Sequence, residues 1–192
     1  MGLDMYLDVT RNVYRFMDEA KFNELKTALD SVIFKNGFLS ADERSDDVLS
    51  VGRGVAYWRK ANAIHAWFVE NVQDGIDECQ TSYVPIEALE ELERVCGEVV
   101  ILLDPYFREL HDNSLYDWDV DGTWEDIPSE VLEKIEEVLP TQAGFFFGST
   151  AIDLYYYANV KYTYDRVSEL RKWIVAEREN GSYWEVHYRS SW

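Results

Sequence analysis

Residues 152–174, IDLYYYANVKYTYDRVSELRKWI, set the frame for the whole chain. Ile152, Tyr156, Val160, Thr163, Val167, Leu170 and Ile174 recur at steps of 4, 4, 3, 4, 3 and 4. On a helix with 3.6 residues per turn, those positions line up on one side. Such a stripe has to pack on something, either the remaining core or a second copy of the chain. After Asn180-Gly181 the period changes, and Tyr183-Trp184-Glu185-Val186-His187-Tyr188 alternates as a half-buried strand does. Leu3-Asp4-Met5-Tyr6-Leu7-Asp8-Val9 alternates in the same way, so the two ends are expected to pair.

Between these ends the pattern is mainly helical. Phe22, Leu25, Leu29, Val32 and Ile33 share one face, and Lys35-Asn36-Gly37 supplies a basic last turn and a glycine cap. Residues 40–47 read as a charged loop, and Val48 to Tyr57, with two glycines, as a short irregular strand. A helix is expected from about Trp58 to Val72. Pro85 suits the first turn of another, carrying Leu89, Leu92, Cys96, Val99 and Leu103, which Asp104-Pro105 should end or kink. Pro128 opens a shorter helix with Val131, Leu132, Ile135 and Val138, ending before Pro140. The expectation is a mostly helical α+β fold, one domain over residues 1–192 with a small antiparallel sheet.

The charge is strongly one-sided, with 18 basic residues against 37 acidic ones for a net −19. A general basic face for nucleic acid is thereby excluded, and solubility is the plainest use of the carboxylates. Mimicry of a nucleic acid is a sharper use, but Lys and Arg interrupt the acidic rows nearly everywhere. Cys79 and Cys96 lack any metal-binding spacing and read as reduced thiols. Met1 to Tyr6 has no secretory character, and no apolar run approaches the ~18 residues that span a bilayer. A cytoplasmic protein without a membrane segment is expected.

Two segments mix polar and aromatic residues as a ligand pocket does. Trp58-Arg59-Lys60-Ala61-Asn62-Ala63-Ile64-His65-Ala66-Trp67-Phe68 sets cations and amides among rings. Leu139-Pro140-Thr141-Gln142-Ala143-Gly144-Phe145-Phe146-Phe147-Gly148-Ser149-Thr150 frames rings with glycines and hydroxyls. On a helix Arg59, Asn62 and Ala66 would share a face with His65 beside them. Trp58 or Trp67 would stack on a flat group, and Arg59 and Lys60 would counter phosphate. Asn62, His65, Thr141 and Gln142 would read polar edges, with Phe146 and Ser149 completing the wall. Ser149 or Thr150 is also a natural N-cap for the last helix, leaving N–H groups free for an anion. The plain alternative keeps His65 and both Trp rings in the core and pairs Arg59 with a carboxylate.

Asp117-Trp118-Asp119-Val120-Asp121-Gly122 matches the first half of a calcium loop, but Pro128 stands where the bidentate Glu belongs. An acidic turn is the better reading. No nucleophile elbow, Walker loop or dinucleotide fingerprint occurs, so no catalytic residue, metal or cofactor is assigned. Of Tyr155-Tyr156-Tyr157, the middle ring belongs to the buried stripe.

Three blocks in order, Met1 to Leu7, Tyr57 to Phe68, and Leu139-Pro140-Thr141 through Phe145 to Thr150, resemble a family of small acidic proteins of bacteriophages and prophages. The resemblance covers most of the chain up to about Arg178 and brings no residue roles with it. It implies an action on host defence: sequestering a nucleotide signal, degrading it, or blocking a host protein. The leading expectation is non-catalytic binding of a small phosphorylated or nucleotide-like molecule by a homo-oligomer. An acidic inhibitor or DNA mimic acting on a host protein, and a nucleotide-processing enzyme, are the alternatives.

Overall fold

The computed structural model describes residues 2–33, 48–113 and 127–192. Strand β1 runs Asp4–Tyr14, helix α1 Glu19–Ile33, β2 Val48–Arg59 and α2 Asn62–Val72. Then come β3 (Ser82–Tyr83), α3 (Ile86–Asn113), α4 (Ser129–Val138), α5 (Leu154–Glu179) and β4 (Glu185–Ser191). The strands form an antiparallel sheet in the order β2-β1-β4-β3, so the fold is α+β and mostly helical, as the periodicities imply.

The two alternating ends do pair. Asp4 lies opposite Ser191 and Thr10 opposite Glu185, which makes β1 the central strand, with β2 on its other side. Alternation gives the sheet one buried face: Met5, Leu7 and Val9 from β1, Ala56 and Trp58 from β2, Val186 and Tyr188 from β4. Helices cover that face. The stripe of α5 is buried from Tyr156 to Ile174, and α5 packs chiefly along α3 through Leu89, Leu92, Cys96, Val99 and Leu103. Removing side chains of this size from water contributes about 1.5–3 kcal/mol each. Burial also raises the Cys96 thiol far above its ordinary pKa, which leaves it a packing residue.

The second strand is longer than its glycines suggest. It runs over 12 residues, and a bulge at Val55, left unpaired between the Leu7–Ala56 and Asp8–Gly54 pairs, absorbs the irregularity. Trp58 and Arg59 therefore stand on a strand, and the following helix begins only at Asn62. Lys60, at φ 57°, makes the corner. The third helix runs through Pro105 to Asn113 instead of stopping. Pro105 removes the hydrogen bond to the Ile101 carbonyl, but both residues lie on the exposed side, where water can satisfy the freed group. The final helix is capped by Asp153, whose Oδ1 accepts from the Tyr156 N–H at 2.9 Å, and not by Ser149 or Thr150. The expected glycine cap at Gly37, the loop over 40–47 and the half calcium loop at Asp117–Gly122 lie outside the described residues.

One side-chain bond ties sheet to helix in the middle of the core. Trp58 Nε1–H donates to Thr163 Oγ1 at 2.8 Å, and Thr163 in turn donates to the Asn159 carbonyl. Replacing Thr163 with Val keeps the shape but strands the indole N–H in a dry interior. Urea denaturation of Thr163→Val is expected to show a loss of about 1–3 kcal/mol.

Candidate functional site

The two polar–aromatic segments do meet, but they meet as a clasp. Asn62, almost wholly buried at the start of α2, donates from Nδ2 to the Ser149 carbonyl at 2.7 Å and to the Phe147 carbonyl at 3.2 Å. Its Oδ1 accepts from the Gln142 N–H at 3.1 Å. Backbone bonds extend the seam: Lys60 N–H donates to the Leu3 carbonyl at 2.7 Å, and Leu3 N–H to the Phe146 carbonyl at 3.1 Å. Tyr155 donates its hydroxyl to the Arg59 carbonyl and Tyr156 to the Leu139 carbonyl. Glycine is required twice here. At Gly148 φ is +88°, and a Cβ at Gly144 would stand 2.6 Å from the Phe147 ring.

His65 is fully buried on α2. Its Nδ1 lies 2.8 Å from the Tyr188 hydroxyl and its Nε2 3.0 Å from Asp77 Oδ2, while Trp192 Nε1–H donates to the other Asp77 oxygen at 3.1 Å. An Asp–His–Tyr chain of this kind resembles a proton relay, yet Tyr188 is as buried as His65 and stacks on Phe68 with centroids 3.9 Å apart. Burial raises the Tyr188 phenol well above its ordinary pKa. With neither group reaching a substrate, the chain pins β4 and the carboxyl-terminal Trp192 against α2.

The pocket expected between the segments is thus corrected by the geometry. Trp58 is in the core and lends no face to a ligand, and Asn62 and His65 have their polar atoms satisfied internally. The gap left beside Lys60, Asn62 and Ser149 is about 20 Å³, room for roughly one water. Arg59 leaves the group altogether. On a strand end it points to solvent and pairs with Asp4 at 3.3 Å. Asp4 also accepts from the Tyr57 hydroxyl, and that bond raises the phenol above its ordinary pKa. Lys60 and Ser149 are exposed, and Phe146 is half-buried edge-on to Phe145. Thr141 donates to the Thr150 carbonyl at 3.2 Å, closing its own loop.

Trp67, Thr141 and Gln142 instead border a different concavity. A groove of about 770 Å³ runs between α2, α3 and the end of α4. Its floor is apolar, with Ala63, Ala66 and Val69 from α2, Val95 from α3, Val138 at the end of α4 and Leu139 just beyond it. Its rim carries Glu70, Glu91, Glu98 and Glu137 against a single arginine. That Arg94 is already held, 2.6 Å from Glu91 and 3.2 Å from Glu98, and Lys134 adds a contact to Glu98 at 3.5 Å. Sequence reasoning passed over the four glutamates because each is an ordinary helix-surface residue. Only three helices brought together make them one surface.

A smaller cleft of about 320 Å³ lies between β2 and α5, with Arg53, Arg166 and Trp173 among its walls. Among the described residues no group of three His, Cys, Asp or Glu side chains is arranged to hold a metal ion. No helix there is long and apolar enough to cross a membrane.

Comparison with family models, curated proteins and solved structures finds no match to this chain.

If Asn62 is a clasp, its loss costs stability. Asn62→Ala leaves a buried N–H and two carbonyls without partners and is expected to cost about 2–4 kcal/mol, while exposed Lys60→Gln stays within about 0.5 kcal/mol. Thermal and urea melts of the two variants check this, and equal stabilities would show that Asn62 is not structural.

Proposed function

We propose that this chain acts by binding a basic, amphipathic helical segment of a protein partner in the groove between α2, α3 and α4. One observation carries the reading: an apolar floor enclosed by four glutamates against one arginine. A helix laid in a groove is held by apolar anchors at helical spacing, and the charges around them select the partner. Ala63 and Ala66 keep the floor low, so that a helix can approach closely. The chain's net −19 extends the same preference over longer range and would speed encounter with a basic partner. This develops the acidic-inhibitor reading of the sequence. The apolar floor favours an amphipathic helix over mimicry of nucleic acid, which would need only the charge.

The groove suits an anion poorly. A phosphate placed there would face glutamates, and its one arginine is already shared between two of them. A nucleotide-like ligand therefore needs another place in the fold.

A synthetic amphipathic helix of Leu and Lys is expected to bind, and its Leu and Glu counterpart is not. Glu70→Lys combined with Glu137→Lys should weaken the Leu/Lys peptide at least tenfold by fluorescence anisotropy, and Ala66→Phe should do likewise by filling the floor. Glu24→Lys with Glu130→Lys alters net charge equally on exposed residues outside the groove and should have little effect. Equal weakening by both charge pairs would mean diffuse attraction, and the groove reading would fail.

A further inference from the structure

We infer that the cleft between β2 and α5 is a binding site for a small anion carrying a flat ring, of the class of a nucleoside monophosphate. This stands apart from the groove, with which the cleft shares no lining residue.

The floor is apolar: Val9 of β1 and Leu170 of α5 are buried there, and Val55 is half-buried. Arg166, Glu169 and Trp173 stand on successive turns of one side of α5, because residues three, four and seven apart share a helix face. Arg53 faces them from β2. It lies opposite Val9, whose side chain is on the buried side of the sheet, so strand alternation sends Arg53 toward the helix as well. A volume of about 320 Å³ matches the lower end of small-molecule pockets.

Three features point to the ligand's chemistry. First, Arg53 has no ion pair or hydrogen bond among the described residues, in a chain with twice as many acids as bases. An arginine that passes over so many available carboxylates is a free two-pronged anion donor. Second, Arg166 is already oriented: its Nη1 is 3.0 Å from Glu169 Oε2, and its guanidinium carbon sits 5.9 Å from the Tyr162 ring. It lines the same cleft as Arg53, and Glu169 is the one acid among the lining residues. Third, Trp173 is 37% exposed while Trp184 backs it at 5.2 Å, so the indole is braced on one side and free on another. A braced, partly exposed indole beside arginines suits the stacking of a flat ring. Phosphate on the arginines and ring on Trp173 would use all three at once.

Isothermal titration of the full chain with AMP, inorganic phosphate and adenosine tests the inference. AMP is expected to bind at least tenfold more tightly than either fragment. Arg53→Ala should weaken AMP at least tenfold, Arg53→Lys less, and Trp173→Leu should reduce AMP binding to the level of phosphate. Lys172→Ala, a neighbouring cation outside the cleft, should leave affinity unchanged. All these positions are on the surface, and melting curves confirm that each variant is folded. Absence of heat with AMP, equal affinity for AMP and phosphate, or wild-type affinity in Arg53→Ala would each overturn the site. Because the probe and the variants differ from those used for the groove, either proposal can fail alone.

Discussion

The amide of Asn62 holds the top of the molecule together. It spans three backbone groups of the 142–149 loop, and that loop in turn receives the Leu3 N–H at the start of the central strand. A loop with Gly144, Gly148 and three phenylalanines in a row has no regular hydrogen-bonding pattern of its own. Its buried carbonyls and N–H groups need partners from elsewhere, since each one left unpaired costs about 1–3 kcal/mol. Asn62 meets that need because an amide donates and accepts at one point. The corner at Lys60 makes this possible by ending β2 and starting α2 within a few residues.

The same constraint explains why polar residues among rings proved a poor guide to a pocket. A buried network and a ligand site use the same groups, because both must satisfy donors and acceptors away from water. His65 between Tyr188 and Asp77, and Trp58 on Thr163, are fully partnered inside the protein. The sequence shows that such groups are present, but not whether their partners are protein atoms or a ligand. The plain reading of His65 and the tryptophans as core residues is the one their burial supports.

Charge is distributed unevenly once the chain is folded. Residues 48–69 and 138–152 contain no Asp or Glu at all, although the chain carries 37. These two acid-free runs are the ones that clasp each other at Asn62, and the first also carries Arg53 to the cleft beside α5. Carboxylates gather elsewhere, including around the apolar groove. The partners proposed for the groove and the cleft differ accordingly, four glutamates lining the one and two arginines the other. The acid-free runs were visible in the sequence, but they line both places: Ala63, Ala66 and Val69 reach the groove and Arg53 the cleft, so the runs alone could not separate the two surfaces.

Periodicity alone determined the elements whose faces are set by one partner. The α5 stripe, the pairing of the first and last strands, and the limits of α4 between Pro128 and Pro140 were all readable, because burial on one side writes a repeat of 3.6 or 2 into the residues. Tertiary structure decided what depends on neighbours distant in sequence. The bulge that extends β2 through Arg59 is set by its pairing with β1, and the passage of α3 through Pro105 by an exposed flank. The groove and the cleft exist only where separate elements converge. Local pattern records which side of an element is buried, but the identity of the group waiting on the other side is a property of the assembled fold.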